Sequence, residues 1–250
     1  MVYHPMPSIL ITRPCIVAEP LALELERLGY RTVIEPLLSI EPLVMPRPPG
    51  GFPQAIIITS GSALSALAGR REQIADLLDL PCFCVGPRTA EKASAFGFRH
   101  VQNAEGDGAE LARLASFMLG KKRATILHLA GNDTDRKAQQ ELEKQGHRVV
   151  VWPVYEAIPV TVFTVKAREL LERGQLDAVV VYSSRTAEVL AKLLADAALE
   201  ACCKGLDAIC LSAAIADVLK PLSWRQIAVA SAPSEKAIIA RLQEICPVKS

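Results

Sequence analysis

The stretch Val149-Val150-Val151-Trp152-Pro153-Val154-Tyr155-Glu156-Ala157-Ile158-Pro159 sets the problem. It begins as a β-branched run, the composition of a buried strand. Pro153 then intervenes, and proline has no N–H to give to a central ladder. The residues after it are too apolar for an ordinary surface loop and too proline-rich for a core strand. The segment therefore reads as an extended crossing between two bodies, with the phenol of Tyr155 at the crossing.

Upstream, strand and helix patterns alternate. Ile9-Leu10-Ile11 is a short buried strand, Thr12-Arg13-Pro14 a turn, and Leu21, Leu25 and Leu28 a helical stripe closed by Gly29. Thr32-Val33-Ile34 is a second strand, and Pro36-Leu37-Leu38-Ser39-Ile40-Glu41-Pro42 a first crossing segment. After the Pro- and Gly-rich loop from Pro46 to Pro53 come Ala55-Ile56-Ile57-Ile58, a helix through Leu64 and Leu67, Phe83-Cys84-Val85, a helix ending near Gly97, and a helix marked by Leu111, Leu114 and Ala115. Strands alternating with helices of this length predict a parallel α/β sheet.

The pattern then restarts. Gly29 and Gly146 are 146 − 29 = 117 residues apart, and at that offset Ile9 meets Ile126, Pro36 meets Pro153, Leu38 meets Tyr155 and Pro42 meets Pro159. Ala55–Ile58 meets Ala178–Val181 at offset 123, and Phe83–Val85 meets Ile209–Leu211 at offset 126. The drift fits small loop insertions within an internal duplication, two similar α/β halves each with one crossing segment. The duplication alone fits two consecutive halves as well as interleaved ones.

Composition narrows the function. Of the 250 residues 50% are apolar and 22% charged, the profile of a globular chain. A net charge of +1, with no basic run beyond Lys121-Lys122-Arg123, speaks against a nucleic-acid binder. Seven cysteines without a C-x-x-C pair read as reduced core thiols of a cytoplasmic protein. Neither a secretion signal nor, with apolar runs of strand length, a membrane span is expected.

Small hydroxyl or glycine residues follow the strands: Thr59-Ser60-Gly61-Ser62, Gly86-Pro87-Arg88-Thr89, Gly131-Asn132-Asp133-Thr134, Ser183-Ser184-Arg185-Thr186, Ser212-Ala213-Ala214 and Pro233-Ser234. Each can cap a helix. As a set they fall where a parallel sheet binds its ligand, beyond the carboxyl ends of the strands. Helix starts there suit a ligand with several carboxylates or phosphates, held by many contacts of about 0.3–1 kcal/mol each. Arg13, Arg88, Arg136 and Arg185 could add charge at the rim.

Nucleotide, metal and hydrolase fingerprints are missing: no G-x-G-x-x-G, G-x-x-x-x-G-K-[ST], H-E-x-x-H or G-x-S-x-G. His4, His100, His128 and His147 are scattered. His128, inside a strand pattern, reads as packed or capping, and Asp133 and Asp135 read as caps. A reaction here would rest on positioning and one proton donor, without cofactor or metal, and Tyr155 is the best candidate donor.

Taken in order, these turns resemble uroporphyrinogen-III synthase. Ile9–Arg13 looks like the family's opening strand and Thr-Arg turn. Ile58-Thr59-Ser60-Gly61-Ser62-Ala63 looks like its Phe-Thr-Ser-x-Asn turn, with Ser62 where Asn is usual. Val85-Gly86-Pro87-Arg88-Thr89-Ala90 is similar to its V-G-x-x-T-A turn; the second copy, Leu211-Ser212-Ala213-Ala214-Ile215-Ala216, carries Ile215 where a Thr is common. Leu129-Ala130-Gly131, Gly146, Pro153-Val154-Tyr155 and Tyr182-Ser183-Ser184-Arg185-Thr186-Ala187 complete the likeness, which spans nearly the whole chain.

The resemblance implies two flavodoxin-like parallel-sheet α/β domains joined by a two-stranded β-ladder, with the substrate in the cleft between them. It also implies an interleaved chain: residues 1–37 with 159–250, residues 43–153, and linker strands at 38–42 and 154–158. The implied reaction closes hydroxymethylbilane, a linear tetrapyrrole with eight carboxylates, to uroporphyrinogen III. Water is lost and the D ring inverted, through a spiro intermediate in the family's favoured scheme. Tyr155 would assist departure of the hydroxyl. Arg13, Thr59, Ser60, Ser62, Gly86, Thr89, Gly131, Ser183, Ser184, Thr186, Ser212 and Ser234 would bind substrate. A monomer is expected, in transient contact at most with the preceding pathway enzyme. The rival readings are a nucleotide-sugar transferase and a two-lobed anion-binding regulator.

Overall fold

A computed structural model of the chain describes residues 6–44, 46–104, 108–120, 122–134 and 136–248. His4, Lys121 and Asp135 lie outside the described residues. The chain divides into two compact units: the first joins Met1–Ser39 to Pro159–Ser250, and the second is Ile40–Ile158.

The first unit is built on β1 (Ser8–Ile11), β2 (Arg31–Ile34), β9 (Ala178–Val181), β10 (Asp207–Cys210) and β11 (Gln226–Val229), in the order β11-β10-β9-β1-β2. Every pair is parallel. Alternate residues of a strand face opposite sides, and both sides here are covered. Ile9, Ile11, Val180 and Ile209 pack against α1 (Cys15–Arg27) and α9 (Glu235–Ile245). Leu10, Val33, Val179 and Val181 pack against α6 (Val165–Glu172), α7 (Ser184–Asp196) and α8 (Ala213–Leu219). Burial on both faces explains why β1 and β9 read as continuous apolar runs.

The second sheet holds β3 (Leu38–Pro42), β4 (Ala55–Ile58), β5 (Pro81–Val85), β6 (His100–Ala104), β7 (Thr125–Gly131) and β8 (Arg148–Pro159), in the order β3-β8-β7-β4-β5-β6, and lies in the second unit save for Leu38, Ser39 and Pro159. The pairs from β8 to β6 are parallel. Ile56, Ile58, Leu127, Leu129 and Trp152 face α2 (Gly61–Leu67) and α3 (Pro87–Phe96). Ile57, Phe83, Ile126 and Val149 face α4 (Gly108–Leu119) and α5 (Lys137–Lys144).

The strands matched by the sequence offsets take equivalent places. β1, β9 and β10 hold the positions in the first sheet that β7, β4 and β5 hold in the second, with β2 and β8 outside β1 and β7. Numbered by position, both sheets follow the flavodoxin-like order 2-1-3-4-5. In the first unit β1 and β2 precede the other three in sequence; in the second their counterparts β7 and β8 follow them. The halves are thus related by a permutation.

The proline-rich stretch continues the β-branched run before it as the second half of one strand, β8. Ala130 pairs with Pro153 and Gly131 with Tyr155, so Val154 is the extra residue of a bulge. Bulges are where a sheet tolerates proline. The bulge also hands β8 to a further neighbour: Leu43 N–H donates to Val154 O (2.9 Å), and Val160 N–H to Leu37 O (3.1 Å). These partners run in opposite senses, so β3 lies antiparallel to β8. The helix after β4 runs through Leu64 to Leu67, as expected, and is followed by a 3-10 segment, Ala68–Leu77, with breaks at Arg70 and Ile74.

Candidate functional site

In both units the sequence-selected turns lie at the carboxyl ends of parallel strands. In the second unit, β4 delivers Thr59 and Ser60, β5 delivers Gly86, β7 ends on Gly131, and β8 carries Tyr155. Ser60 is the N-cap of α2, and its hydroxyl accepts from Ser62 N–H (3.2 Å). Gly86 caps α3 with φ +80°, a left-handed backbone that favours glycine, and donates its N–H to Ala104 O (3.2 Å). Ser62 and Thr89 are buried on the first turns of their helices.

Tyr155, on β8, stands beside the carboxyl end of β7. Its backbone oxygen accepts from Asn132 N–H (2.8 Å), which ties it to the turn after β7. Its ring lies against Gly131: a Cβ at residue 131 would stand 2.7 Å from Tyr155 Cζ and 3.0 Å from the phenol oxygen. Burial holds the phenol above its ordinary value of 10.0, opposed by a hydrogen bond with the Ser60 side chain. Tyr155 therefore keeps its proton at neutral pH, as a proton donor must. The glycine allows the ring to approach, and the N-cap serine reads its hydroxyl.

One polar group here was not selected as functional from sequence. His128 is fully enclosed in β7, and burial pushes its imidazole down to about 4. The parallel register sets Ile57 beside His128. Thr59, two residues beyond Ile57, therefore points to the same face, and its Oγ1 lies 3.1 Å from His128 Nε2. The only sequence signal was a lone imidazole interrupting the apolar run Ile126-Leu127-His128-Leu129-Ala130.

In the first unit, β1 leads to Arg13, β9 to Ser183 and Ser184, β10 to Ser212, and the chain after β11 to Ser234. Ser183 caps α7, accepting from Thr186 N–H (3.1 Å) and sharing a 2.8 Å hydroxyl contact with buried Thr186. Ser234 caps α9 through Ala237 N–H (3.2 Å), whereas Ser212 caps α8 without a side-chain bond. Ile215 is buried in the core rather than offered to a ligand. Arg13 is held in place: its Nη1 donates to Glu235 (2.8 Å), and its guanidinium lies 4.2 Å from the centre of the Tyr182 ring. One carboxylate occupies one edge of the fork, and a guanidinium has five N–H donors, so it can still take a second acid. Glu235 and Tyr182 were invisible as its partners because contacts across 222 and 169 residues leave no local pattern.

All seven cysteines are free thiols. Among the described residues no group of His, Cys, Asp or Glu could hold a metal ion.

A family model for uroporphyrinogen-III synthase HemD matches residues 19–240. Among solved structures, the chain is similar to a uroporphyrinogen-III synthetase from Helicobacter pylori, at 17% identity and TM-score 0.57, covering 94% of this chain and 97% of that one. It is also similar to a mutant uroporphyrinogen III synthase from Thermus thermophilus, at 16% identity and TM-score 0.53, covering 95% and 96%. At such identities these structures bear on the fold alone. No curated protein matches.

Proposed function

The chain belongs to the uroporphyrinogen-III synthase family, and from that membership we propose that its substrate is hydroxymethylbilane, closed with D-ring inversion and loss of water. The family's reaction is a cyclising lyase step of tetrapyrrole biosynthesis, which the rival transferase and regulator readings do not supply.

The observation that carries the reading is Tyr155: a protonated phenol, partly buried, at the carboxyl edge of its sheet and supported by Gly131 and Ser60. Tyr155 donates its proton to the departing hydroxyl, which leaves as water, and the positive charge spreads over the pyrrole. The cation attacks the substituted carbon of the D ring to give the spiro intermediate. The original bond from the methylene bridge to that carbon then breaks. The bridge rejoins the ring at its other, unsubstituted α-carbon across the nitrogen, which inverts the ring, and the proton lost from that carbon restores the phenol. A phenol near pKa 10 is a weak acid, so its share is an acceleration on top of positioning.

The octa-acid substrate suits the other residues. In the second unit Thr59 and Ser60 present hydroxyl groups and Thr89 a backbone N–H, while Ser62, Gly86 and Gly131 shape the turns that carry them. In the first, Arg13 and the hydroxyls of Ser183, Ser184, Ser212 and Ser234 play the same part. Ser62 and Thr186 are buried and give their backbone N–H groups to Ser60 and Ser183, so their part is to hold those hydroxyls in place, while buried Thr89 offers its N–H on the first turn of α3. Action as a cytoplasmic monomer, in transient contact with the enzyme that makes this substrate, belongs to the same proposal. No helix among the described residues is long and apolar enough to cross a membrane. The test is incubation with enzymically made hydroxymethylbilane and chromatography of the oxidised products. Type III isomer is expected; type I alone, the product of unassisted closure, would overturn the assignment.

A further inference from the structure

The polar group that this mechanism leaves unused is His128. Its Nε2 lies 3.1 Å from Thr59 Oγ1, and its Nδ1 is buried without a hydrogen-bond partner among the described residues. An enclosed, neutral imidazole carries one proton. On Nδ1 that proton would be a buried donor with nothing to receive it, the rarer and more costly defect. On Nε2 it is donated to Thr59 Oγ1, and Nδ1 is left with only an unused lone pair. Thr59 then accepts from below. Its side chain is half-buried at the carboxyl end of β4, and its own hydrogen is left to donate outward.

We propose that His128 is a positioning residue that commits the Thr59 hydroxyl to act as a donor to a substrate carboxylate. A carboxylate can only accept. A threonine free to rotate presents lone pairs as often as a hydrogen, whereas one already accepting from an imidazole is set for an anion. The inference rests on reading Thr59 as a substrate-binding hydroxyl. It does not make His128 an acid or base, since the ring reaches the substrate only through Thr59.

Two measurements test it. Nitrogen NMR of the ring of His128, in the full chain without substrate, should report the Nε2-protonated tautomer, with the Nε2 signal moving on Thr59→Val. An Nδ1-protonated ring would overturn the proposal. Steady-state kinetics should show His128→Phe raising KM about tenfold, the loss of one charge-assisted hydrogen bond, with kcat little changed. His128→Gln, whose amide can still donate toward Thr59, should recover most of that loss. In a Thr59→Val background His128→Phe should have no further effect. An unchanged KM, or an equal rise in the Thr59→Val background, would overturn the proposal. Should His128→Phe fail to fold, His128→Gln carries the comparison, since it must stay closer to wild type than Thr59→Val. A wild-type chain that yields only type I isomer would defeat the functional reading and the carboxylate with it. The NMR result would still decide the tautomer.

Discussion

Gly131 and Tyr155 are in such close contact that one methyl group between them would collide with the phenol: a Cβ on residue 131 would lie 2.7 Å from the ring carbon that bears the hydroxyl. Gly131→Ala must therefore move the ring or the strand. We expect it to lower stability by about 1–3 kcal/mol, as overpacking does, and to lower turnover along with it. Thermal melts and isomer assays on one preparation check this. Wild-type values for both would mean that the contact is not what seats the tyrosine.

Tyr155→Phe removes the donor and keeps the ring. The melting temperature should stay within a few degrees of wild type, while kcat falls about 10- to 100-fold, the low end of general acid catalysis. Because burial raises this phenol above 10.0, the wild-type rate should lose no activity to its ionisation at neutral pH. A loss should appear only at strongly alkaline pH and be missing from Tyr155→Phe. Turnover unchanged by the substitution would remove Tyr155 from the mechanism.

His128 makes stability depend on pH. Its folded value is about 4 against an ordinary 6.5. Between those values the unfolded chain binds a proton that the folded chain does not, so stability is full above about pH 6.5 and falls as the pH drops toward 4. The loss attributable to this group is about 2 kcal/mol by pH 5. Urea unfolding at pH 7, 6 and 5 should show it, and His128→Phe should flatten that part of the slope. Identical slopes in the two proteins would place the imidazole in contact with water.

Glu35 fastens the two sequence segments of the first unit. Almost fully buried beyond β2, its carboxylate accepts from Thr164 N–H (2.8 Å) and Thr164 Oγ1 (2.5 Å), at the cap of α6. Glu35→Ala takes the acceptor from the Thr164 amide and hydroxyl, which water can reach, and should cost about 1 kcal/mol; Glu35→Gln, which keeps one acceptor, should cost less. Hydrogen exchange should speed up in α6 and β2 while β4 and β7 keep their protection. A uniform change across both units would contradict so local a role.

The central strands were legible because both faces are buried, which leaves runs such as Ala55–Ile58 and Ala178–Val181 with no polar residue. The edge strands β6 and β11 were missed. His100–Ala104 buries only Ala104 and is mostly polar, so it carries no apolar signal; Gln226–Val229 buries only Ala228, and its Ile-Ala-Val is too short a run to stand out by itself. The 3-10 segment after Leu67 was not read, since its buried residues, Ile74 and Leu77, make no helical stripe. At the site, the hydroxyl turns could be selected because each follows a strand, and Tyr155 because it comes just after Pro153 in an apolar extended run. The pairs His128–Thr59 and Arg13–Glu235 could not. They arise from sheet order and register, across 69 and 222 residues.

The interleaving of the units has a consequence for biosynthesis. β1 is an interior strand whose far neighbour, β9, lies beyond the whole of Ile40–Ile158. At the usual pace of translation, about 5–20 residues per second, the 178 − 11 = 167 residues from the end of β1 to the start of β9 separate the two by about 8–33 s. A nascent chain can finish the middle unit during that interval. Ile9, Leu10 and Ile11, fully shielded in the mature protein, must meanwhile wait with one flank open, at the stage when a chaperone has most to offer.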